Sequence, residues 1–354
     1  MANPTIVING EVLPTMKEIN RELAPYQKSD TRRSVWQLVN TLIPYVILWV
    51  LMYFSLQVSY VLTLVLSVIA AGFLVRTFIF FHDCGHNSFF PSTQLNKIVG
   101  FWLGILVFTP SEHWWHSHAI HHATSSNLDK RGVGDVTTLT LEEFYDHHWL
   151  KKLGYRFFRN PLVMFILGPV FMFLIMHRLP LPNYGRKTTI NVMLTNLGIL
   201  VMAVVSALVI GWQAYLMIQL PTIMLAGIGG IWLFYIQHQF EDTYWERSEN
   251  WNYVASGLLG ASYYKLPKIL EWFSGSIGYH HIHHLSPRIP NYHLAECQQQ
   301  SHLIQKWSRV VTIPESIRAV RLKVWDEPRR KMTGFPKADA HAPAPGRTPI
   351  TDEG

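Results

Sequence analysis

The chain has 354 residues, of which 49% are hydrophobic and only 15% are charged. Soluble domains are usually about 25% charged, so this composition argues against a soluble protein and favours one embedded in a membrane. The net charge of +7 comes from basic residues near the ends of apolar stretches, which is typical of the cytoplasmic flanks of membrane helices and argues against nucleic-acid binding.

The first 33 residues are polar and carry charges of both signs. They lack the basic-then-apolar pattern of a cleaved signal peptide, so we interpret residues 1–33 as a cytoplasmic N-terminal segment. The two cysteines, Cys84 and Cys297, are far apart and without CxxC spacing, which argues against a disulfide framework.

Two long charge-free stretches predict four membrane spans. The first covers residues 34–75 and has a break at 55–60 that suggests a hairpin tip; the second covers 188–240 and has its tip near Gly211. Each is long enough for two spans of roughly 20 residues, whereas the apolar stretch 98–109 is too short to cross. We therefore predict an all-α integral membrane protein with two transmembrane helical hairpins, about four spans in all, and a cytoplasmic helical cap.

Histidines lie in three tight groups beside these stretches. The first group, His82 and His86, follows the second predicted span and has the i, i+4 spacing that places two rings on one helical face. The second and third groups share the spacing HxxHH, whose i, i+3 and i+4 positions are also neighbours on a helix. Their members are His118, His121 and His122, and His280, His283 and His284.

Eight imidazoles exceed the four ligands of a tetrahedral zinc site and suit two ions with open positions. Imidazole binds zinc, copper, iron and nickel, so residue type alone leaves the metal open. Soluble di-iron bundles use Glu and Glu-x-x-His ligands, whereas a site built mainly from neutral imidazoles is more positively charged. A lipid boundary, where O2 dissolves well, suits oxidation of an unactivated C–H bond; we predict two metal ions, held by the cap, with O2 as co-substrate.

A ninth candidate ligand is His238, which lies where the last predicted span emerges, a position at which ionisable residues are commonly functional. Metal-bound histidines usually donate their second N–H to a carboxylate or carbonyl. Five acids close to the clusters in sequence are therefore candidate partners: Asp83, Asp129, Asp135, Glu241 and Asp242.

The histidine groups also constrain residues 160–177, an apolar stretch of borderline length. Metal ligands must meet on one side of the membrane, and the second hairpin returns the chain to its starting side. A full crossing at 160–177 would separate the second and third groups, so we predict that this stretch lies in the interface or re-enters. The hairpin tips carry no charge, whereas this stretch has basic flanks, which places both termini and all histidine groups in the cytoplasm. The flanking residues are Lys151, Lys152, Arg156, Arg159, Arg178, Arg186 and Lys187.

Three motifs resemble those of the membrane fatty acid desaturases: the stretches His82–Phe90, His118–Asp135 and Gly278–Pro287. The resemblance covers roughly residues 35–300 and is closest to bacterial acyl-lipid desaturases of the delta-12/omega-6 and delta-5 type. It implies that the eight box histidines bind a di-iron centre and that His238 is the additional histidine after the last span. His113 and His116 precede the second box and His281 falls at a variable position of the third, so these three are not counted.

The same resemblance implies a reaction and its partners. An acyl desaturase of this family removes two hydrogens from adjacent methylenes of the acyl chain of a membrane lipid or acyl thioester, with O2 reduced to water by electrons from outside. The third box begins with His rather than Gln, and we find no haem motif of a cytochrome b5 domain, so we expect a separate electron donor, a ferredoxin. The expected location is the bacterial cytoplasmic membrane.

We predict the desaturase domain at residues 34–300, a cytoplasmic C-terminal helical segment at 301–334 and, because residues 335–354 are rich in Pro, Ala and Gly, a disordered tail there. The nearest alternative is a membrane di-iron hydroxylase or ketolase acting on a carotenoid, alkane or sphingolipid, in which oxygen is inserted. A second alternative is a non-enzymatic metal-binding membrane receptor or transporter. A transporter would need polar groups inside the spans near the bilayer midplane, whereas here the histidines lie outside them.

Overall fold

The computed structural model describes residues 6–8, 10–180 and 185–336 and is mainly helical, which confirms the predicted fold class. Among these residues, four helices are long and apolar enough to cross a membrane: Thr31–Ser55, Tyr60–Gly85, Gly185–Ile210 and Trp212–His238. We call them α2, α3, α9 and α10. They form two hairpins, so the chain is a membrane-integral protein with the predicted pattern of spans.

Local chemistry sets where the hairpins begin and turn. The carboxylate of Asp30 accepts hydrogen bonds from the backbone N–H groups of Arg32 and Arg33 and thereby caps the start of α2. The first hairpin turns between Ser55 and Tyr60, as predicted. The second turns at Gly211, whose φ of 85° lies in the left-handed region that favours glycine. α3 packs against both α2 and α10 at the centre of the apolar core.

The apolar stretch at 98–109 lies mostly in a 14-residue helix, Thr93–Leu106 (α4), which packs against α3. A helix of this length is roughly 21 Å long and cannot cross an apolar layer of about 30 Å. The oxygen of Ser92 accepts a hydrogen bond from the Leu95 N–H and caps its start.

The stretch at 160–177 belongs to a bent pair of helical segments, Trp149–Phe158 (α7) and Val163–Arg178, which meet at 62°. The second segment contains a π-helical turn and the short helix Gly168–Leu174 (α8). A Cβ atom on Gly227 of α10 would clash with Pro169, so the two helices pack closely there. Gly227 is eleven residues before His238, the last residue of α10, so this contact lies about 16 Å from the histidine end of that span. By length and composition alone the pair could be one further span, but the histidine positions described below favour re-entry.

The remaining elements build a cap at one end of the spans. Its helices are Met16–Leu23 (α1), Ser111–Thr124 (α5), Leu141–Asp146 (α6), Tyr253–Leu259 (α11), Lys268–Phe273 (α12), His280–Leu285 (α13), Asn291–Gln300 (α14), His302–Trp307 (α15) and Ile313–Ala319 (α16). Three two-stranded sheets complete it: antiparallel Val7–Ile8 with Glu11–Val12, parallel Tyr263–Tyr264 with Val310–Val311, and antiparallel Val324–Asp326 with Lys331–Thr333.

Two of the predicted segments lie at the C-terminal end of the chain. Residues 301–334, predicted to be helical, contain α15 and α16 but also the last three strands. The predicted tail at 335–354 lies outside the described residues except for its first two.

Candidate metal centre

Nine histidines from four helices converge where the spans meet the cap. They come from the end of α3, from α5, from the end of α10 and from α13, and they form two groups whose ligand atoms lie within 4.8 Å of one another. The five-histidine group contains His82, His86, His118, His122 and His283, and the four-histidine group contains His121, His238, His280 and His284. The structure therefore brings together every histidine predicted to be a ligand.

The five-histidine group has the spacing of ligands around one ion. The Nε2 atom of His122 lies 3.1 Å from that of His118 and 3.0 Å from that of His283. Two nitrogens bound at about 2.1 Å and at right angles would be roughly 3.0 Å apart. The Nε2 atoms of His82 and His86 are buried and have no hydrogen-bond partner among the described residues, as expected for atoms directed at an ion.

The four-histidine group has the same spacing. The Nε2 atom of His238 lies 3.2 Å from that of His121 and 3.0 Å from that of His280, and the Nε2 atom of His284 lies 3.0 Å from that of His280. The residues present thus fit two metal ions, one per group. Imidazole donors in this number suit a divalent transition metal better than Mg²⁺ or Ca²⁺.

Burial favours the neutral form of three of these rings. It lowers the pKa of His122, of His283 and of His284 well below the usual range, and the neighbouring histidines add to the effect by repelling a second positive charge. A neutral imidazole has a lone pair free for a metal. The cluster therefore needs no proton release from these rings before it binds an ion at neutral pH.

Two ligands have partners that fix which nitrogen faces the group. The Nδ1 of His82 lies 3.0 Å from Oδ1 of Asp83, and the Nδ1 of His238 lies 3.0 Å from the carbonyl oxygen of Gly260. Nδ1–H donation to these oxygens leaves Nε2 as the metal-facing lone pair. Asp83 is thus the predicted acid that lies against a histidine.

The structure places the other four acids differently. Asp129 accepts from Arg247 at 3.0 Å and from the Ser248 N–H at 2.8 Å. Asp135 lines a small cavity beside His121 and His238, accepts from the Gly132 N–H at 2.9 Å, and burial raises its pKa to about 6. The last two pair with basic residues at the surface: Asp242 with Arg309, and Glu241 with Lys331.

The three histidines omitted from the predicted set lie in neither group. The Nε2 of His281 is 2.9 Å from Oε1 of Gln298. The ring of His113 lies 6.0 Å from that of His177, and His116 is exposed.

Aromatic packing holds α5 against α3 beneath the histidines. Within α5 the ring of Trp114 stacks on that of His118, with centroids 4.4 Å apart, and it meets the edge of Phe78 of α3 at 5.1 Å. The indole N–H of Trp115 donates to the carbonyl of Phe81, also in α3. A Cβ atom on Gly85 would lie 2.3 Å from the Trp115 ring. The glycine within the first histidine motif is therefore required for this close approach.

Sequence reasoning missed several residues that support the site, among them Gly260, Trp114 and Asn291. Asn291 contacts Asp83 through two hydrogen bonds. No motif marks it, because its partner is distant in sequence. Trp114 lies in the second histidine cluster, and its i, i+4 spacing to His118 was the available signal.

Comparison with known proteins agrees with this geometry. The profile of the fatty acid desaturase family matches residues 58–308. A fatty acid desaturase of Bacillus subtilis (strain 168) is 48% identical over 327 residues, which cover 92% of each chain.

Plant relatives are more distant. An endoplasmic-reticulum omega-3 fatty acid desaturase of Vigna radiata var. radiata is 27% identical over 63% of this chain and 60% of its own. The sn-2 acyl-lipid omega-3 desaturase (ferredoxin) of Arabidopsis thaliana chloroplasts is 27% identical over 63% of this chain and 51% of its own. Taken with the family profile and the Bacillus relative, these matches show that the chain belongs to the fatty acid desaturase family and is an enzyme of that family.

Proposed function

We propose that this protein is an O2-dependent acyl desaturase that introduces a cis double bond into the acyl chain of a membrane lipid or an acyl thioester. The observation that carries the proposal is the pair of histidine groups at the ends of α3 and α10, in a chain that belongs to the desaturase family. In the proposed reaction, O2 takes up the two hydrogens removed from the acyl chain, two electrons from the external donor and two further protons. It leaves as two molecules of water.

Two iron ions are the proposed cofactors, one per group. The proposed ligands are the members of the five-histidine group and of the four-histidine group. The metals would supply the redox chemistry of O2 activation and C–H cleavage. The remaining tasks belong to the protein. Asp83 and Gly260 hold the rings of His82 and His238 with Nε2 inward, and the buried setting excludes bulk water from the reacting groups.

The proposed substrate is a lipid acyl chain and the proposed electron donor is a ferredoxin. The membrane-integral fold supports the first, because a site at the ends of the spans is open to a substrate whose acyl chain lies in the apolar layer. The printed name of the Arabidopsis relative supports both, since it states an acyl-lipid substrate and a ferredoxin. Basic flanks at the cap ends of the spans support a cytoplasmic site in a bacterial membrane.

Expression in a host without polyunsaturated lipids, with double bonds located by mass spectrometry, tests the proposal. We expect new double bonds in membrane lipids, and their loss in His121→Ala and His283→Ala variants, which remove one ligand from each group. Hydroxylated or keto products would instead show a hydroxylase or ketolase. Full product formation by both variants would refute the ligand assignment.

A further inference from the structure

A buried relay of polar side chains connects the first span to the His82 ligand. Oδ2 of Asp83 accepts two hydrogen bonds from Asn291, 2.8 Å from its backbone N–H and 2.9 Å from its side-chain amide. The side-chain oxygen of Asn291 accepts from the amide of Gln37 at 2.8 Å. All four side chains of the relay are buried: Gln37, His82, Asp83 and Asn291.

The relay gives each atom of the Asp83 carboxylate a separate task. Both donors of Asn291 bind Oδ2, so Oδ1 remains for the Nδ1 of His82. A carboxylate held at both ends cannot rotate freely, and the ring it accepts from is fixed in tautomer and orientation. Gln37 acts one step further out, because its N–H donation requires that Asn291 present its oxygen to α2 and its amide N–H to Asp83.

We propose that Asn291, oriented by Gln37, is a positioning residue for metal binding by His82. The inference rests on the proposed function, since it assumes that the five-histidine group holds iron. It assigns a role to α2, which contributes no histidine. Gln37 of α2 fixes the orientation of the Asn291 amide, and that amide orients the carboxylate of Asp83.

The test measures iron release from the full-length, iron-loaded protein in detergent to an excess of chelator. Asn291→Ala removes the side-chain donor to Asp83. Gln37→Glu is nearly isosteric, but its ionised carboxylate only accepts hydrogen bonds, so at a pH at which that carboxyl is ionised Asn291 must turn its amide N–H away from Asp83. Loss of a direct outer partner of a metal ligand typically costs 10–100-fold in affinity. Asn291 and Gln37 lie one and two steps beyond such a partner, so we expect both variants to release iron more than about twofold and up to about tenfold faster.

Ser34→Ala is the matched control. The Ser34 hydroxyl donates from the same part of α2 to the carbonyl of Phe89, so its loss disturbs the contact of α2 with the segment between α3 and α4 but removes no hydrogen bond of the relay. We expect iron release at the unmodified rate. Release from Asn291→Ala and Gln37→Glu within twofold of Ser34→Ala would overturn the relay. Absence of bound iron from the unmodified chain would refute the proposed function instead. This outcome is distinct from failure of the relay, because it is seen without any substitution.

Discussion

The two HxxHH motifs divide their histidines between the two groups. Around a helix, residues i and i+4 are about 40° apart, whereas i+3 lies about 60° to the other side. In α5 the i, i+4 pair His118 and His122 belongs to the five-histidine group and the i+3 residue to the other; in α13 the i, i+4 pair His280 and His284 belongs to the four-histidine group. Each motif thus contributes to both groups.

His238 and His281 provide a test at the scale of single residues. Both are histidines near the site, but only His238 lies in a ligand group, whereas His281 contacts Gln298. We expect His238→Ala to bind about one iron fewer and to lose at least about tenfold in desaturation, since ligand loss should cost no less than loss of an outer partner. His281→Ala should keep both irons.

Metal analysis of the purified variants and lipid analysis of the expressing cells measure these two outcomes. Equal loss in both variants would contradict the assignment of His238.

Sequence predicted which histidines meet but not how they are divided or supported. Spacing alone gives the shared helical face of His118, His121 and His122, because that face follows from helix geometry. The division into two groups depends on the rotation of α5 relative to α13, which spacing does not encode. Asn291 and Gln37 were not predicted for the same reason: their contacts join segments that only the folded chain brings together.

At the scale of elements, Arg159 joins α7 to the end of α10. Its guanidinium is fully buried and donates to Gln239, next to His238, and to the backbone oxygens of Thr137 and Leu322. In the sequence Arg159 is one of several basic flanking residues, and a charge count cannot distinguish a buried arginine from an exposed one. Its contacts show that it ties four segments together beside the four-histidine group.

We expect Arg159→Met to destabilise the protein by about 3 kcal/mol, because several buried acceptors lose a charged donor. Arg156→Met in α7 is the control: that side chain is exposed and lies 4.5 Å over the ring of Phe335, a contact that contributes no more than about 1 kcal/mol at an exposed site. Thermal unfolding in detergent compares the two. Equal melting temperatures would show that the Arg159 contacts contribute little.

α7 also presents an apolar face away from the protein. Tyr155 is buried on one side, and the opposite arc of roughly 100° carries four exposed apolar side chains: Trp149, Leu150, Leu153 and Phe157. In a soluble cap this arc would be polar. With Lys151 and Lys152 on the same helix, the pattern is typical of a helix that lies in the membrane interface.

An environment-sensitive fluorophore on Leu153→Cys should therefore be quenched by brominated lipid in nanodiscs. The same label on Glu142→Cys, an exposed position of the neighbouring α6, should be quenched by aqueous iodide instead. The native cysteines are both buried, so background labelling is measured on the unmodified chain. Iodide quenching of the Leu153 label to the level of the Glu142 label would show that α7 faces water.

At the scale of the whole molecule, the histidine groups determine how often the chain crosses the membrane. The HxxHH motifs at 118–122 and 280–284 meet in one site, so the chain between them crosses the membrane an even number of times. α9 and α10 supply two crossings, and the bent pair at 149–178 must then enter and leave on the same side. Sequence reasoning reached this result from parity, which is independent of the exact fold; the 62° bend and the packing on Gly227 could come only from the structure.

Reporter fusions test this arrangement in cells. A reporter that works only in the cytoplasm should be active when it is joined after Gly185, at the start of α9, because an even number of crossings separates this position from the histidine groups. A reporter joined after Val58, in the tip of the first hairpin, should lie on the opposite side, since one span separates it from His82. A Gly185 reporter found outside the cytoplasm would mean that the bent pair crosses the membrane. α9 and α10 would then each cross in the opposite direction to the one proposed. His238, at the end of α10, would be placed across the membrane from His121, a separation that a Nε2–Nε2 distance of 3.2 Å does not permit.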